Sequence, residues 1–175
     1  IIGCGSAYNS GLLSQSFFSE LANIKIELII ASEFRYQKFI KENNILNIII
    51  SQSGETADTI ASLRLLKEQK EAVIAIVNNV NSTIANEADF VINMNCGIEQ
   101  AVASTKAYLS TSFILHLLAF YLGKIKNTHQ INDSHFIKQA YSDINLGDNV
   151  NKNNNVKNIV SKIYKFKNIF FIGRS

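Results

Sequence analysis

Short apolar runs rich in isoleucine and valine alternate along this chain with longer segments of helical periodicity. We predict strands at five of these runs: Ile1–Ile2, Lys25–Ile30, Leu46–Ser51, Ala72–Val77 and Asp89–Met94. The predicted helices are Ala7–Leu21, Glu33–Phe39, Thr56–Lys67, Ser82–Asn86 and Ser104–Leu122. This alternation is typical of βαβ units, in which helices cover both faces of a parallel sheet. The sequence therefore predicts an α/β fold, a three-layer αβα sandwich around a five-stranded parallel sheet.

Length and composition fit one such domain with a sizeable core, since 47% of the 175 residues are hydrophobic and 18% are charged. Cys4 and Cys96 have no ligand-like spacing, so we expect no disulfide and no zinc site, and a reducing, cytoplasmic setting fits best. The net charge of +3 comes with scattered lysines and argues against a nucleic-acid partner. The apolar stretch Ala107–Leu122 is shorter than the roughly 20 residues that span a bilayer. We expect it to be a buried helix and expect no membrane partner.

A polar stretch after the fifth predicted helix separates the first unit from the rest of the chain. We divide the sequence into residues 1–125 as the α/β domain, residues 126–167 as a helical connector and residues 168–175 as the start of a second, similar domain. The connector should contain helices at Asp133–Asn145 and Val156–Tyr164.

The two ends of the chain repeat one design, an apolar run followed by a glycine and serine turn. The first copy is Ile1-Ile2-Gly3-Cys4-Gly5-Ser6, and the second is a strand at Asn168–Ile172 that runs into Gly173-Arg174-Ser175. The sequence opens inside the first copy without an initiating methionine. We therefore expect the chain to be a piece of a longer protein.

The third predicted strand ends in Ser51-Gln52-Ser53-Gly54-Glu55-Thr56, which leads directly into a helix. Hydroxyl groups then share a helix N-terminus with backbone N–H groups that lack intrahelical partners, and the helix dipole is positive there. This combination forms an anion site. An ordinary cap with Ser53 at the N-cap would have a similar sequence, so both interpretations are open from the pattern alone. Ligands of open parallel sheets bind beyond the carboxyl ends of strands, which favours the anion site.

Two other turns follow predicted strands. The first, with Cys4, Gly5 and Ser6, lacks the third glycine of a dinucleotide-binding fingerprint, because Tyr8 stands at that position. We interpret it as a wall of the same pocket, or else as a tight turn only. The loop from Cys96 to Thr105 brings hydroxyl groups toward the same sheet edge, although a serine or threonine there is equally a helix cap.

No catalytic arrangement is evident in the sequence. It contains no Walker A, HExxH or GxSxG motif, and no histidine is paired convincingly with a nucleophile. His116 lies within an apolar helix, where a packed core histidine is the better interpretation. We therefore predict no catalytic residue, no metal site and no cofactor in this chain.

Four motifs resemble those of a known family. They are Cys4-Gly5-Ser6-Ala7-Tyr8-Asn9, Ala31-Ser32-Glu33-Phe34-Arg35-Tyr36, Ser51-Gln52-Ser53-Gly54-Glu55-Thr56-Ala57-Asp58-Thr59 and Val102-Ala103-Ser104-Thr105-Lys106-Ala107. In this order they are similar to the first sugar-isomerase (SIS) lobe of the glutamine–fructose-6-phosphate aminotransferase family. The resemblance implies that a phosphate of fructose 6-phosphate or glucosamine 6-phosphate is held by Ser51, Gln52, Ser53 and Thr56. It also implies that Val102 and Ser104 contact the sugar. The family commonly has a serine where this chain has Ala7, so that hydroxyl is missing here.

Members of this family join an N-terminal glutaminase domain to two SIS lobes, act as homodimers and form glucosamine 6-phosphate from fructose 6-phosphate and glutamine. The resemblance implies that this chain is the first lobe of such an isomerizing transaminase, without the other two domains. The family's base, Schiff-base lysine and ring-opening histidine belong to the second lobe and its tail, so we expect the chain alone to be inactive. Two alternatives stay open: another SIS isomerase or deglycase, and a sugar-phosphate sensor module of a transcription regulator.

Overall fold

Five parallel strands form a single sheet in the computed structural model, which describes residues 1–38, 44–100, 102–139, 142, 154–170 and 172. The strands are β1 (Ile2–Gly3), β2 (Ile29–Ile30), β3 (Asn47–Ser51), β4 (Val73–Val77) and β5 (Phe90–Asn93). Their order across the sheet is β2-β1-β3-β4-β5, and each pairing is parallel.

Seven helical segments accompany the sheet in the described part of the chain. They are α1 (Ser6–Ala22), α2 (Ala31–Phe34), α3 (Ala57–Glu68), α4 (Thr83–Glu87), α5 (Lys106–Lys126), α6 (133–139) and α7 (Asn154–Ile163). The first five surround the sheet, and α6 and α7 follow it in the chain.

The two faces of the sheet have separate cores, because successive side chains of a strand point to opposite faces. Ile48 and Ile50 of β3 pack with Phe18 of α1 and with α5. Ile49, between them, packs on the opposite face with Leu63 of α3 and with residues of α2 and α4. This arrangement confirms the predicted three-layer αβα sandwich with a five-stranded parallel sheet.

Helix α5 has 21 residues, and by length and composition alone it could cross a bilayer. It packs along α1, and Leu115 and Ala119 are completely buried against the sheet. Its other side exposes Leu109, Phe113 and Ile125. The expectation of a buried helix therefore holds for one side of α5 only.

The predicted edge strand is the largest departure within the sheet. Lys25–Ile30 was expected to be extended, but only Ile29 and Ile30 pair, with Ile2 and Gly3 of β1. The second predicted helix begins at Ala31 and ends at Phe34, and Phe39 lies outside the described residues. The other helix boundaries agree with the predictions to within a few residues.

The chain divides into two compact units, Ile1–His129 and Gln130–Ser175. Helix α7 confirms the predicted helix near Val156–Tyr164, and α6 covers the first half of Asp133–Asn145, the rest of which lies largely outside the described residues. The predicted strand Asn168–Ile172 is not formed by residues 168–170 and 172, and the rest of the run lies outside the described residues, so the start of a second domain stays a prediction. A strand needs a neighbour to pair with, and no described strand pairs with this run. The boundaries proposed at residues 125 and 167 stay predictions.

Candidate functional site

The chain changes direction across the sheet between β1 and β3. From β1 it passes through α1 to the edge strand β2, whereas from β3 it passes through α3 to β4 on the other side. Helix α1 packs on one face of the sheet and α3 on the other. The N-termini of α1 and α3 therefore border a crevice at the carboxyl ends of the strands, where open parallel sheets usually bind ligands.

A cavity of about 190 Å³ lies in this crevice. Two turns and the first turn of α3 supply its lining: Cys4, Ser6, Ala7, Ile50, Ser51, Gln52, Ser53, Thr56 and Thr59. The four residues predicted to hold a phosphate are all in this set, together with two of the predicted wall residues. The lining contains no carboxylate, histidine or lysine. It offers hydrogen-bonding groups to a ligand but no evident acid or base.

Hydrogen bonds within the loop hold its hydroxyl groups close together. The Ser51 and Thr56 hydroxyl oxygens are 3.0 Å apart, and the Gly54 N–H donates to the Ser51 hydroxyl oxygen at 3.1 Å. The Glu55 N–H donates to the Ser53 hydroxyl oxygen at 3.1 Å. The loop is therefore folded around the Ser51 hydroxyl by its own hydrogen bonds.

The N-cap of α3 is Thr56, and its side chain accepts no capping hydrogen bond. The interpretation of this loop as an ordinary cap with Ser53 at the N-cap is therefore wrong. The N-cap of α1 is Gly5, and that helix also has no side-chain cap and no acidic residue in its first turn. Both helices that border the cavity thus direct a positive dipole end toward it without a capping side chain.

Two neighbouring helices are capped by carboxylates of this chain. Glu55 accepts hydrogen bonds from the Thr83 N–H at 2.6 Å and from the Thr83 hydroxyl at 2.9 Å, at the N-terminus of α4. Glu99 accepts from the Thr105 N–H at 2.7 Å, at the N-terminus of α5. Donors at this end of α5, the Thr105 N–H above all, hold the pKa of the Glu99 carboxyl below its ordinary value.

Glu99 also fixes the loop that carries Ser104. The Ser104 hydroxyl donates to the other Glu99 carboxylate oxygen at 3.4 Å. Ser104 lines a second, smaller cavity of about 20 Å³, which shares Ser6, Ala7 and Gln52 with the larger one. Local sequence patterns did not identify Glu99, although an acidic residue shortly before a helix N-terminus was a usable signal.

Val102, Gly5 and Ala7 differ in their positions relative to the two cavities. Val102 is fully exposed, Gly5 is exposed, and neither lines a cavity, so their roles as a sugar contact and a pocket wall stay predictions. Ala7 lines both cavities. At this position the chain supplies a methyl group in place of a hydroxyl.

Gly54 packs the loop against the N-terminus of α4. Its φ angle is +68°, a conformation that residues with a Cβ rarely adopt. A Cβ atom built there would lie 1.9 Å from the Ser82 hydroxyl oxygen, and the Gly54 carbonyl accepts from the Ile84 N–H at 3.1 Å. Only glycine therefore fits both the backbone conformation and the available space.

His116, predicted to pack in the core, is only half-buried and belongs to neither core cluster. His116 stacks on Phe17 with ring centroids 4.2 Å apart, and its partial burial lowers its pKa. Within the described ranges no cluster of three or more histidine, cysteine or acidic side chains could hold a metal ion.

Thr59 was not singled out from the sequence. It lies three residues after Thr56, on the same side of the helix, and it lines the larger cavity. Its side chain is completely buried, and its hydroxyl oxygen has no hydrogen-bond partner in the described structure. A buried threonine on a helix resembles core packing in a sequence, so only the three-dimensional structure identifies it.

Comparisons with known proteins agree with this geometry. The SIS domain family model matches residues 1–121. A glutamine–fructose-6-phosphate aminotransferase (isomerizing) from Clostridium tetani is 40% identical over 178 residues, which cover 99% of this chain and 29% of that protein. The chain thus spans about 29% of the length of the curated relatives of this name that it matches over nearly its whole length.

Solved structures show the same fold. The C-terminal domain of glucosamine-fructose-6-phosphate aminotransferase from Francisella tularensis superimposes with a TM-score of 0.73 at 34% identity, covering 81% of this chain and 39% of that one. A glucosamine-6-phosphate deaminase from Thermotoga maritima gives a TM-score of 0.63 at 27% identity, covering 70% of this chain and 39% of that one.

Proposed function

This chain belongs to the SIS domain family, and from that premise we propose that its first unit binds a sugar phosphate as the first isomerase lobe of a glutamine–fructose-6-phosphate aminotransferase. The observation that carries the proposal is the cavity at the switch point, where two uncapped helix N-termini meet three hydroxyl side chains of one loop. Fructose 6-phosphate and glucosamine 6-phosphate are the proposed ligands.

The phosphate would occupy the larger cavity. Ser51, Ser53 and Thr56 offer hydroxyl groups there, Gln52 offers an amide, and the first N–H groups of α3 are oriented by the helix itself. A doubly charged phosphate interacts favourably with the positive end of a helix dipole without requiring a lysine. The sugar would extend toward the smaller cavity and Ser104, with Val102 as a further contact from the same loop.

The complete enzyme would make glucosamine 6-phosphate and glutamate from fructose 6-phosphate and glutamine. In this proposal the present lobe holds and orients the phosphate end, while proton transfers depend on groups outside it, since among the described residues no carboxylate, histidine or lysine lines either cavity. Its partners would be a glutaminase domain, a second SIS lobe and a second copy of the protein in the cytoplasm. Apolar side chains exposed on α1 and α5, such as Leu13, Leu109 and Phe113, support association.

The alternative of a different sugar-phosphate enzyme shares the same ligand class. The deaminase structure from Thermotoga maritima, at 27% identity, is of that kind. The relatives at 40% identity over 99% of this chain are aminotransferases, which favours the first proposal. No observation supports the transcription-regulator alternative.

The proposal is tested by isothermal titration of the chain with glucosamine 6-phosphate and with glucosamine. Because hydrogen bonds to a charged group contribute roughly 1.5–3 kcal/mol each, we expect the phosphate ester to bind at least about 10-fold more tightly. Fructose 6-phosphate and fructose form a second matched pair. Equal affinities for ester and free sugar would contradict the assignment of the cavity to phosphate.

We also expect the purified chain to have no synthase or sugar-phosphate isomerase activity, because binding alone does not supply the proton transfers that these reactions need. A coupled assay for glucose 6-phosphate formed from fructose 6-phosphate measures this at saturating substrate. Turnover that rises in proportion to the concentration of this chain would show that its own residues suffice for the chemistry.

A further inference from the structure

Thr59 combines three properties that an ordinary core threonine does not share. It is completely buried, it lines the larger cavity, and its hydroxyl oxygen has no hydrogen-bond partner. It is the one buried side-chain polar atom without a partner in the described parts of the chain. The other hydroxyl groups buried in the same region are satisfied: Ser62 donates to the Ala31 carbonyl at 3.1 Å and to the Asp58 carbonyl at 2.9 Å.

An unsatisfied buried hydroxyl is costly, because the group has lost its hydrogen bonds to water and gained none in return. Valine has the same shape and would avoid this cost. The hydroxyl at position 59 is therefore unfavourable for the unliganded fold unless it has a partner in another state of the protein. The position of Thr59 at the cavity indicates where that partner would be.

Helix geometry brings Thr59 next to the loop hydroxyl groups. Thr56 and Thr59 are three residues apart and so lie on one side of α3, and both line the cavity with Ser51. Threonine in a helix populates two χ1 rotamers. The hydroxyl can therefore reorient about χ1 without a movement of the backbone.

We propose that the Thr59 hydroxyl is a further ligand-binding group of this cavity and donates a hydrogen bond to a phosphate oxygen, beside Ser51 and Thr56. The inference rests on the proposed function, because it takes the ligand to be a phosphate ester. It adds a donor from within the helix to a site otherwise made of loop residues. It also gives the unpartnered oxygen a role that appears only when the ligand is bound.

The test compares Thr59→Val, which keeps the shape and removes the hydroxyl, with Thr59→Ser, which keeps the hydroxyl. Each chain is titrated with glucosamine 6-phosphate, inorganic phosphate and glucosamine, and each is melted without ligand. We expect Thr59→Val to bind both phosphate ligands roughly 10-fold more weakly, with a melting temperature equal to or above that of the unaltered chain. Thr59→Ser should retain most of the affinity.

Several results would overturn the inference. Unchanged phosphate affinity in Thr59→Val shows that the hydroxyl does not reach the ligand. A sharp fall in its melting temperature shows that the hydroxyl has a structural partner inside the protein. An equal loss of affinity for glucosamine and its phosphate places the contact on the sugar. If the unaltered chain binds neither phosphate ligand, the proposed function fails together with this inference. If the unaltered chain binds both and Thr59→Val binds them equally well, only this inference fails.

Discussion

Gly54→Ala is expected to destabilise the first unit by roughly 2–5 kcal/mol, the largest effect of any single substitution considered for this chain. Two costs add. An L-residue at a φ of +68° costs about 1–2 kcal/mol, and the new Cβ, which would lie 1.9 Å from the Ser82 hydroxyl oxygen, forces the loop away from α4. Urea unfolding measures the free energy. Phosphate binding should be lost together with stability, because the same loop lines the cavity.

Gly97→Ala is the matched control. Gly97 has nearly the same φ, +69°, but a Cβ built there meets no atom within 4 Å. This substitution should cost only the backbone term of about 1–2 kcal/mol. The double variant Gly54→Ala with Ser82→Gly removes the atoms that obstruct the new methyl group and should recover part of the loss. Equal destabilisation by Gly54→Ala and Gly97→Ala would show that the space beside Gly54 is open.

Thr56→Ala and Ser51→Ala are expected to weaken binding of glucosamine 6-phosphate by about 10- to 100-fold each, because each removes a hydrogen bond to a charged group. Their stabilities should differ. Thr56 makes no capping bond and loses only its hydrogen bond with the Ser51 hydroxyl, so its removal should cost about 1 kcal/mol. Ser51→Ala leaves the buried Gly54 N–H without its acceptor, which costs about 1–3 kcal/mol.

Calorimetric titration and thermal melts on the same samples separate these effects. Ser16→Ala is the control, because Ser16 is an exposed serine of α1 that lines neither cavity. It should change neither the affinity nor the melting temperature appreciably. If affinity survives in Thr56→Ala while the melting temperature falls sharply, the loop is a structural cap in solution and the anion site is wrong.

The central strands of the sheet could be predicted from the sequence alone. The isoleucine and valine runs of β3 and β4 are buried on both faces, and such runs are distinctive. The sequence was insufficient at the edge strand β2, where only Ile29 and Ile30 of the predicted run pair with β1 and the local pattern does not show which residues these are. Serine and threonine are both good caps, so only backbone angles distinguish Thr56 from Ser53 as the N-cap of α3.

The site residues that the sequence missed depend on contacts between distant parts of the chain. Glu55 reaches Thr83, 28 residues away, and nothing in the local pattern around either residue indicates the contact. The missing partner of the Thr59 hydroxyl is likewise a property of the folded surroundings. The residues predicted to bind phosphate, in contrast, lie in one contiguous loop. There the pattern of hydroxyl residues and a glycine before a helix is visible in the sequence.

The carboxylates of Glu55 and Glu99 act as tethered anions. Each carboxylate belongs to the same folded chain as the helix that it caps, so its effective concentration at that helix end exceeds that of a dissolved ion, and a free anion must compete with it. No capping side chain bonds to the N-termini of α1 and α3, and α3 carries the carboxylate of Asp58 in its first turn. We therefore expect a dissolved phosphate ester to bind in the crevice where α1 and α3 meet, and not at the N-termini of α4 and α5.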